Sequence, residues 1–219
     1  MYTLTYKKLH VYFAFYKWRA DEQPRGRRAP PVRRLRRAER REQILDAATR
    51  AFARAGYTAT GLDDIAAEAE LTRAMLYRHF DSKADLYRAV LDRACTRLTE
   101  ATGADDFGDD AIPALLRAAA ADPDGFRLLF RHAAREPDFR DLIDSITAAS
   151  REVGRRNLAR VIPEGPWLDW AADLIPGFTL DAVIAWLDAG RPDPEHAAER
   201  ISQAVHGIMA AAHPPTARR

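Results

Sequence analysis

From Arg40 onward, apolar residues recur at three- and four-residue intervals, and no segment alternates with the two-residue period of a half-buried strand. Ile44, Leu45, Ala48, Ala51, Phe52 and Ala55 share one helical face, and Gly56 ends that helix. Leu62, Ile65, Ala66 and Ala69 mark a second, short helix, and Leu76 and Phe80 a third. A longer helix starts near Lys83, with Leu86, Ala89, Val90, Ala94 and Leu98 on one face. Ser82 is its predicted N-cap, with Asp85 three residues on. Thr60 and Asp63 make the same pairing for the second helix. Beyond a Gly/Asp-rich break at 103–110, helices are expected over 110–121, 123–135, 138–161, 167–189 and 194–212. Prolines 113, 123, 137, 166 and 194 sit near their starts, and Pro176-Gly177 is expected to kink the fourth. The predicted fold class is therefore all-α.

Composition narrows the function classes. The chain has 219 residues, enough for one domain or two small ones with a sizeable core. Its single cysteine, Cys95, excludes an internal disulfide framework and suits a reducing, cytoplasmic setting. No uninterrupted apolar run approaches the ~18–20 residues of a membrane span, so no membrane partner is expected. The six histidines and Cys95 lack metal-ligand spacing, and neither a metal nor a cofactor is expected. No nucleophile elbow, phosphate loop or dinucleotide fingerprint is present, so the prediction is that the chain is not an enzyme.

Charge is unevenly placed. Residues 1–41 hold 13 Lys/Arg against 3 Asp/Glu, and the totals of 34 and 32 leave 21 against 29 for the rest. A basic arm is joined to a mildly acidic body, which favours a localised contact with a polyanion over general stickiness. Residues 1–39 read as a disordered basic extension, 40–85 as a first helical domain, 86–212 as a second, and 213–219 as a tail.

The stretch Arg40–Arg88 carries the chemistry. Short helices joined across Ala69-Glu70-Leu71-Thr72 form a helix-turn-helix arrangement. On the wheel of the Thr72–Phe80 helix, Leu76 and Phe80 face inward. Ala74 and Arg78 face outward, Met75 and Tyr77 flank them, and Arg73 lies near the N-terminus. Two arginines beside a small residue suit a helix lying in a DNA major groove, because arginine pairs bidentately with guanine. Tyr77, His79 and Lys83 lie where backbone phosphates would pass.

The segment YTATGLDDIAAEAELTRAMLYRHFDSKADLYRAVL resembles the DNA-binding domain of the tetracycline-repressor (TetR) family. The matching residues are Gly56-Tyr57, Thr60, Ile65-Ala66, Ala69, Leu76-Tyr77, His79-Phe80, Ser82-Lys83 and Leu86. The resemblance implies a homodimer with an N-terminal three-helix helix-turn-helix domain and a C-terminal helical domain for dimerisation and a small-molecule effector. It implies a sequence-specific repressor that is released from a palindromic operator on double-stranded DNA. The phosphate set would be Thr60, Tyr77, His79 and Lys83, with Thr72, Arg73, Ala74, Met75 and Arg78 completing the DNA-binding residues. The chain departs from the family at the turn, where Glu70 replaces a glycine and is expected to take a positive φ. Asp63 stands where relatives often carry a basic residue, which removes one DNA contact.

In the second predicted domain, Phe126, Phe130, Trp170, Leu174 and Phe178 are candidates to line an effector cavity, with Arg131 and His132 as its polar contacts. The apolar surplus on 167–189 and 194–212 predicts a four-helix dimer interface. Two rival readings stand beside this one. One is a constitutive, weakly specific DNA-binding protein driven by the basic arm. The other is a helical enzyme.

Overall fold

The computed structural model describes residues 32–103 and 110–213. Among them every regular element is a helix. The basic segment up to residue 31 and the tail 214–219 lie outside the described residues, so the predicted arm and tail are described only from Val32 and up to His213.

The described chain divides into two compact units. The first holds the residues through Arg97 together with Asp122–Ile143. It opens with α1 (Val32–Ala59), which breaks its helical geometry at Gly56, where φ is +78°. Only glycine takes that value without strain, so this is where the chain turns. Helix α2 (Leu62–Glu68) and α3 (Arg73–Tyr77) follow, then α4 (Lys83–Thr102). Ile44, Leu45, Ala48, Phe52, Ile65, Ala66, Leu76, Phe80, Leu86 and Val90 are buried and close the small core that the periodicity predicts.

Two differences from the sequence reading concern helix starts. α1 begins at Val32, inside the segment predicted as disordered to residue 39. The N-cap of α2 is Gly61, not Thr60, and its amide donates to Asp64 Oδ2 at 2.8 Å, not to Asp63. Helical structure continues through Pro176.

The segment Asp122–Ile143 clusters with the first unit. The Asp122 carboxylate accepts the Gly125 amide and caps α6 (Pro123–Arg127), which runs into a π-helical turn at Leu128–His132 and short 3₁₀ turns. α6 and the π turn pack on α1, burying Phe126, Leu128, Leu129 and Ala133. Phe139 completes an aromatic cluster, 4.5 Å from Tyr87 and 5.2 Å from Tyr57, with Phe52 4.8 Å from Tyr87. The physical reason is area: the three short helices leave this face of α1 and α4 apolar, and the 122–143 segment removes it from water.

The second unit holds Leu98–Ala121 and the described residues from Asp144. Helix α5 (Ala111–Ala121) packs on α8 (Pro166–Asp188) and α9 (Ala197–Ala211), and α8 packs on α9. α7 (Arg140–Leu158) meets α8 where Gly154 faces Pro176, and a Cβ on Gly154 would lie 3.6 Å from the proline ring. Arg155 joins Glu164 and Asp169 by ion pairs at 2.6 and 2.9 Å. α8 is long and apolar enough by length and composition to cross a membrane, yet Leu168, Ala171, Ala172, Val183, Ile184 and Leu187 on it are buried against the protein.

Candidate nucleic-acid interface

The turn between α2 and α3 sets the interface. Glu70 adopts φ +54°, as its place in a normally glycine-bearing turn predicts. Gln43 on α1 donates to the Ala69 carbonyl at 2.8 Å and holds the turn down. Arg50 and Arg54 on α1 grip Glu68 at 2.8 and 2.6 Å, and their hydrogen bonds hold its carboxyl below the usual range. α2 is thereby tied to α1, and α3 leaves the turn at a fixed angle. Thr72 stands at the N-cap of α3 with extended backbone, but its side chain makes no capping bond.

α3 then presents its outer face as the wheel predicts. Arg73, Ala74, Tyr77 and Arg78 are exposed, Met75 is half-buried, and Leu76 is buried. Arg73 donates to Asp63 on α2 at 3.1 Å and to the Tyr77 hydroxyl at 3.3 Å. These partners, Tyr77 first and then Asp63, raise the guanidinium pKa further above its ordinary value.

The start of α4 follows α3 after five residues. Ser82 Oγ accepts the Asp85 amide at 3.0 Å, as predicted, and the Asp85 carboxylate returns to the Asp81 amide at 3.1 Å. Lys83 is half-buried. Its ammonium donates to the Thr58 carbonyl at 3.3 Å and sits 4.5 Å over the Tyr57 ring.

Thr60 departs from its predicted phosphate role. It is 3% exposed, and its hydroxyl donates inward to the Gly56 carbonyl at 2.7 Å and the Ala51 carbonyl at 3.2 Å. The hydroxyl serves the break that ends α1, where carbonyls lose their helical partners.

His79 shows what sequence reasoning missed. Its imidazole pKa is pushed below the ordinary value by burial and then by the positive charges of Arg37, Arg41, Arg78 and Arg40. Arg41 lies 4.8 Å over the Phe80 ring. The arginines of α1 therefore gather at the C-terminal end of α3, a convergence hidden from linear sequence because some forty residues separate them. Elsewhere on α1, Glu39, Glu42 and Asp46 line an open groove with Glu68 and Glu70. Of these carboxylates, Glu42 and Asp46 pair with Arg93, and Glu68 with Arg50 and Arg54.

The effector candidates are divided between the two units. Phe126 and Phe130 pair at 4.8 Å, with Arg131 and His132 half-buried on the same turn, all in the first unit. Trp170 and Leu174, each 38% exposed, and half-buried Phe178 belong to the second. Burial first, then Arg131 and Arg135, lower the His132 pKa. The Cys95 thiol is buried and pushed up to about 12, which leaves it unreactive. Among the described residues no three His, Cys, Asp or Glu side chains are grouped to hold a metal.

Known proteins share this organisation. Residues 44–90 match the family described as bacterial regulatory proteins, tetR family. The chain is 32% identical over 205 residues to the HTH-type transcriptional activator FasR of Mycolicibacterium smegmatis, covering 84% of this chain and 89% of that protein. It is 46% identical over 56 residues to an HTH-type transcriptional repressor of Mycobacterium tuberculosis, covering 26% of this chain and 30% of that one. A TetR-like transcriptional regulator from Rhodococcus sp. RHA1 superposes with a TM-score of 0.70 at 24% identity, over 84% of this chain and 99% of the other. The chain therefore belongs to the TetR family, and it is a DNA-binding transcriptional regulator whose helix-turn-helix is formed by α2 and α3.

Proposed function

We propose that the chain acts as a homodimeric repressor that binds a palindromic operator and leaves it when a small molecule binds. The observation that carries this reading is the outer face of α3, where Arg73, Tyr77 and Arg78 are exposed beside the α1 arginines. Arg73 and Arg78 read base edges. Tyr77, His79 and Lys83 contact phosphates, and Thr72, Ala74 and Met75 pack along the groove wall. Thr60 is left out of the phosphate set because its hydroxyl is spent inside the protein.

Dimerisation is supported by α8. Its buried residues leave Trp167 58% exposed and Trp170 and Leu174 38% exposed, with the two indoles 5.5 Å apart. Apolar surface of this kind on one chain suits a protein–protein face. This use moves Trp170 and Leu174 out of the effector set. Phe126, Phe130, Arg131 and His132 remain as contacts for an apolar effector with a polar end.

Among the relatives, one is named an activator and another a repressor. Transcription from a promoter carrying the operator, with and without the protein, decides the sign of regulation.

The test of the main reading is selection of random duplexes by the purified chain. A palindromic consensus is expected. Enrichment without a consensus favours the weakly specific, arm-driven reading, in which deletion of residues 1–41 abolishes binding. Sedimentation as a monomer at micromolar concentration would overturn the dimer.

A further inference from the structure

We propose that Asp63 is a specificity-determining positioning residue, which orients Arg73 for base reading at the cost of affinity for DNA in general. The inference rests on the reading of α3 as the DNA-reading helix.

The geometry places a carboxylate where DNA-binding surfaces ordinarily avoid one. Asp63 lies in the first turn of α2, and its side chain is 75% exposed. Its Oδ2 is 3.1 Å from Arg73 Nη1 at the start of α3. On its other side the same guanidinium donates from Nη2 to the Tyr77 hydroxyl at 3.3 Å, and its carbon lies 5.7 Å from the Tyr77 ring centroid. Arg73 is therefore held between two helices by partners on both terminal nitrogens. Two of its five N–H donors are used, and three remain for DNA.

An ion pair this open to water contributes little to stability, so the fold itself gives no reason for it. Its physical effect is on order. A free arginine carries a long, rotamer-rich side chain that must be immobilised on binding, and prior fixation removes that cost for the one base edge the fixed fork can reach. The carboxylate simultaneously repels every phosphate that comes near, whatever the sequence. Fixation favours one sequence, whereas repulsion weakens all of them, so Asp63 widens the ratio between operator and bulk DNA. A basic residue at this position would do the reverse.

The experiment uses the full chain and compares Asp63→Ala, Asp63→Glu, Arg73→Ala and the double variant Asp63→Ala/Arg73→Ala. Each is titrated with a duplex selected by the wild-type chain and with a scrambled duplex, and each is put through a fresh round of selection. Asp63→Ala is expected to bind the scrambled duplex more tightly than wild type. Its operator-to-scrambled ratio should fall about five- to tenfold, the loss expected when one bidentate base contact is disordered. Base preference should flatten at one position of each half-site, the same position that Arg73→Ala flattens. The double variant should flatten it no further, and Asp63→Glu should retain part of the preference. Equal tightening on both duplexes with an unchanged consensus would overturn the proposal and leave Asp63 as a repulsive charge only. Equal weakening with a lowered melting temperature would overturn it in favour of a structural role. A wild-type chain that selects no consensus would instead overturn the reading of α3, and this inference with it.

Discussion

The ammonium of Lys83 lies 4.5 Å from the centroid of the Tyr57 ring and within hydrogen-bond distance of the Thr58 carbonyl. One residue of α4 is thereby fixed to the chain just past the Gly56 break. The same short stretch meets the 122–143 segment, since Thr58 reaches Glu136 at 3.4 Å and Tyr57 packs on Phe139. The stretch that holds the Lys83 ammonium therefore also touches the segment that carries Phe130 and His132. Half-burial lowers the entropy cost of placing Lys83, while its ammonium keeps donors free for DNA.

Lys83→Ala should accordingly weaken operator and scrambled duplexes alike. The slope of log K against log salt should drop by about 0.9, the amount for one phosphate contact. Titrations at four salt concentrations measure this. A loss confined to the operator would mean that Lys83 reads sequence.

Thr60 should behave differently, although the family pattern groups it with the phosphate contacts. Thr60→Val keeps the shape and removes the hydroxyl that serves the Gly56 and Ala51 carbonyls. The expected cost is about 1–3 kcal/mol of stability, because buried acceptors lose their donor. The salt slope should stay at the wild-type value. A normal melting temperature with a reduced slope would restore Thr60 to the DNA face.

Legibility in the sequence followed the range of the interaction. The Ser82 cap is local, and it reads correctly from spacing alone. The strained φ of Glu70 is also local, because the turn demands it whatever surrounds it. The α2 cap was misplaced by one residue because Thr60 and Asp63 fit the same pattern as Gly61 and Asp64, and only burial of the Thr60 hydroxyl separates them. Neither the packing of Phe139 on Tyr57 and Tyr87 nor the gathering of Arg37 and Arg41 near His79 has a periodic signature. Both join residues distant in sequence, and the amphipathic pattern of each helix is satisfied by several partners.

Glu70→Gly should stabilise the chain. A left-handed conformation costs a residue with a Cβ roughly 1–2 kcal/mol, and glycine returns part of that through its larger unfolded-state entropy. A net gain of about 0.5–1 kcal/mol is expected, or about 1–4 °C in melting temperature for a chain of this size. Calorimetry of the two proteins measures it. An unchanged or lowered melting temperature would show that the Glu70 side chain contributes more than its backbone costs.

Arg78→Ala should cost operator binding about 1–3 kcal/mol if the guanidinium makes a bidentate base contact, and scrambled DNA much less. The flattened half-site position should differ from that of Arg73, since Arg73 opens α3 and Arg78 caps its C-terminal end. Selection with each variant compares the positions. Equal losses on both duplexes would place Arg78 on a phosphate.

The last prediction concerns pH. Burial and the arginines around it hold His79 below its ordinary pKa, and His132 is lowered in the same direction by burial, Arg131 and Arg135. In the unfolded chain both return to about 6.5. Between that value and the lower folded one, the unfolded chain binds more protons, so unfolding free energy rises with pH in this window. Stability should be at its plateau above about pH 7 and should decline as pH falls through 6.5, before most carboxylates titrate. His79→Gln should remove part of the decline. DNA binding should show the opposite sign. A phosphate beside His79 favours the imidazolium, so the complex takes up a proton and affinity rises as pH falls through the same window. Denaturant midpoints and operator titrations from pH 5.5 to 8, on wild type and His79→Gln, measure both trends. If the variant keeps the wild-type pH dependence of DNA affinity, the proton is taken up elsewhere and His79 does not face phosphate.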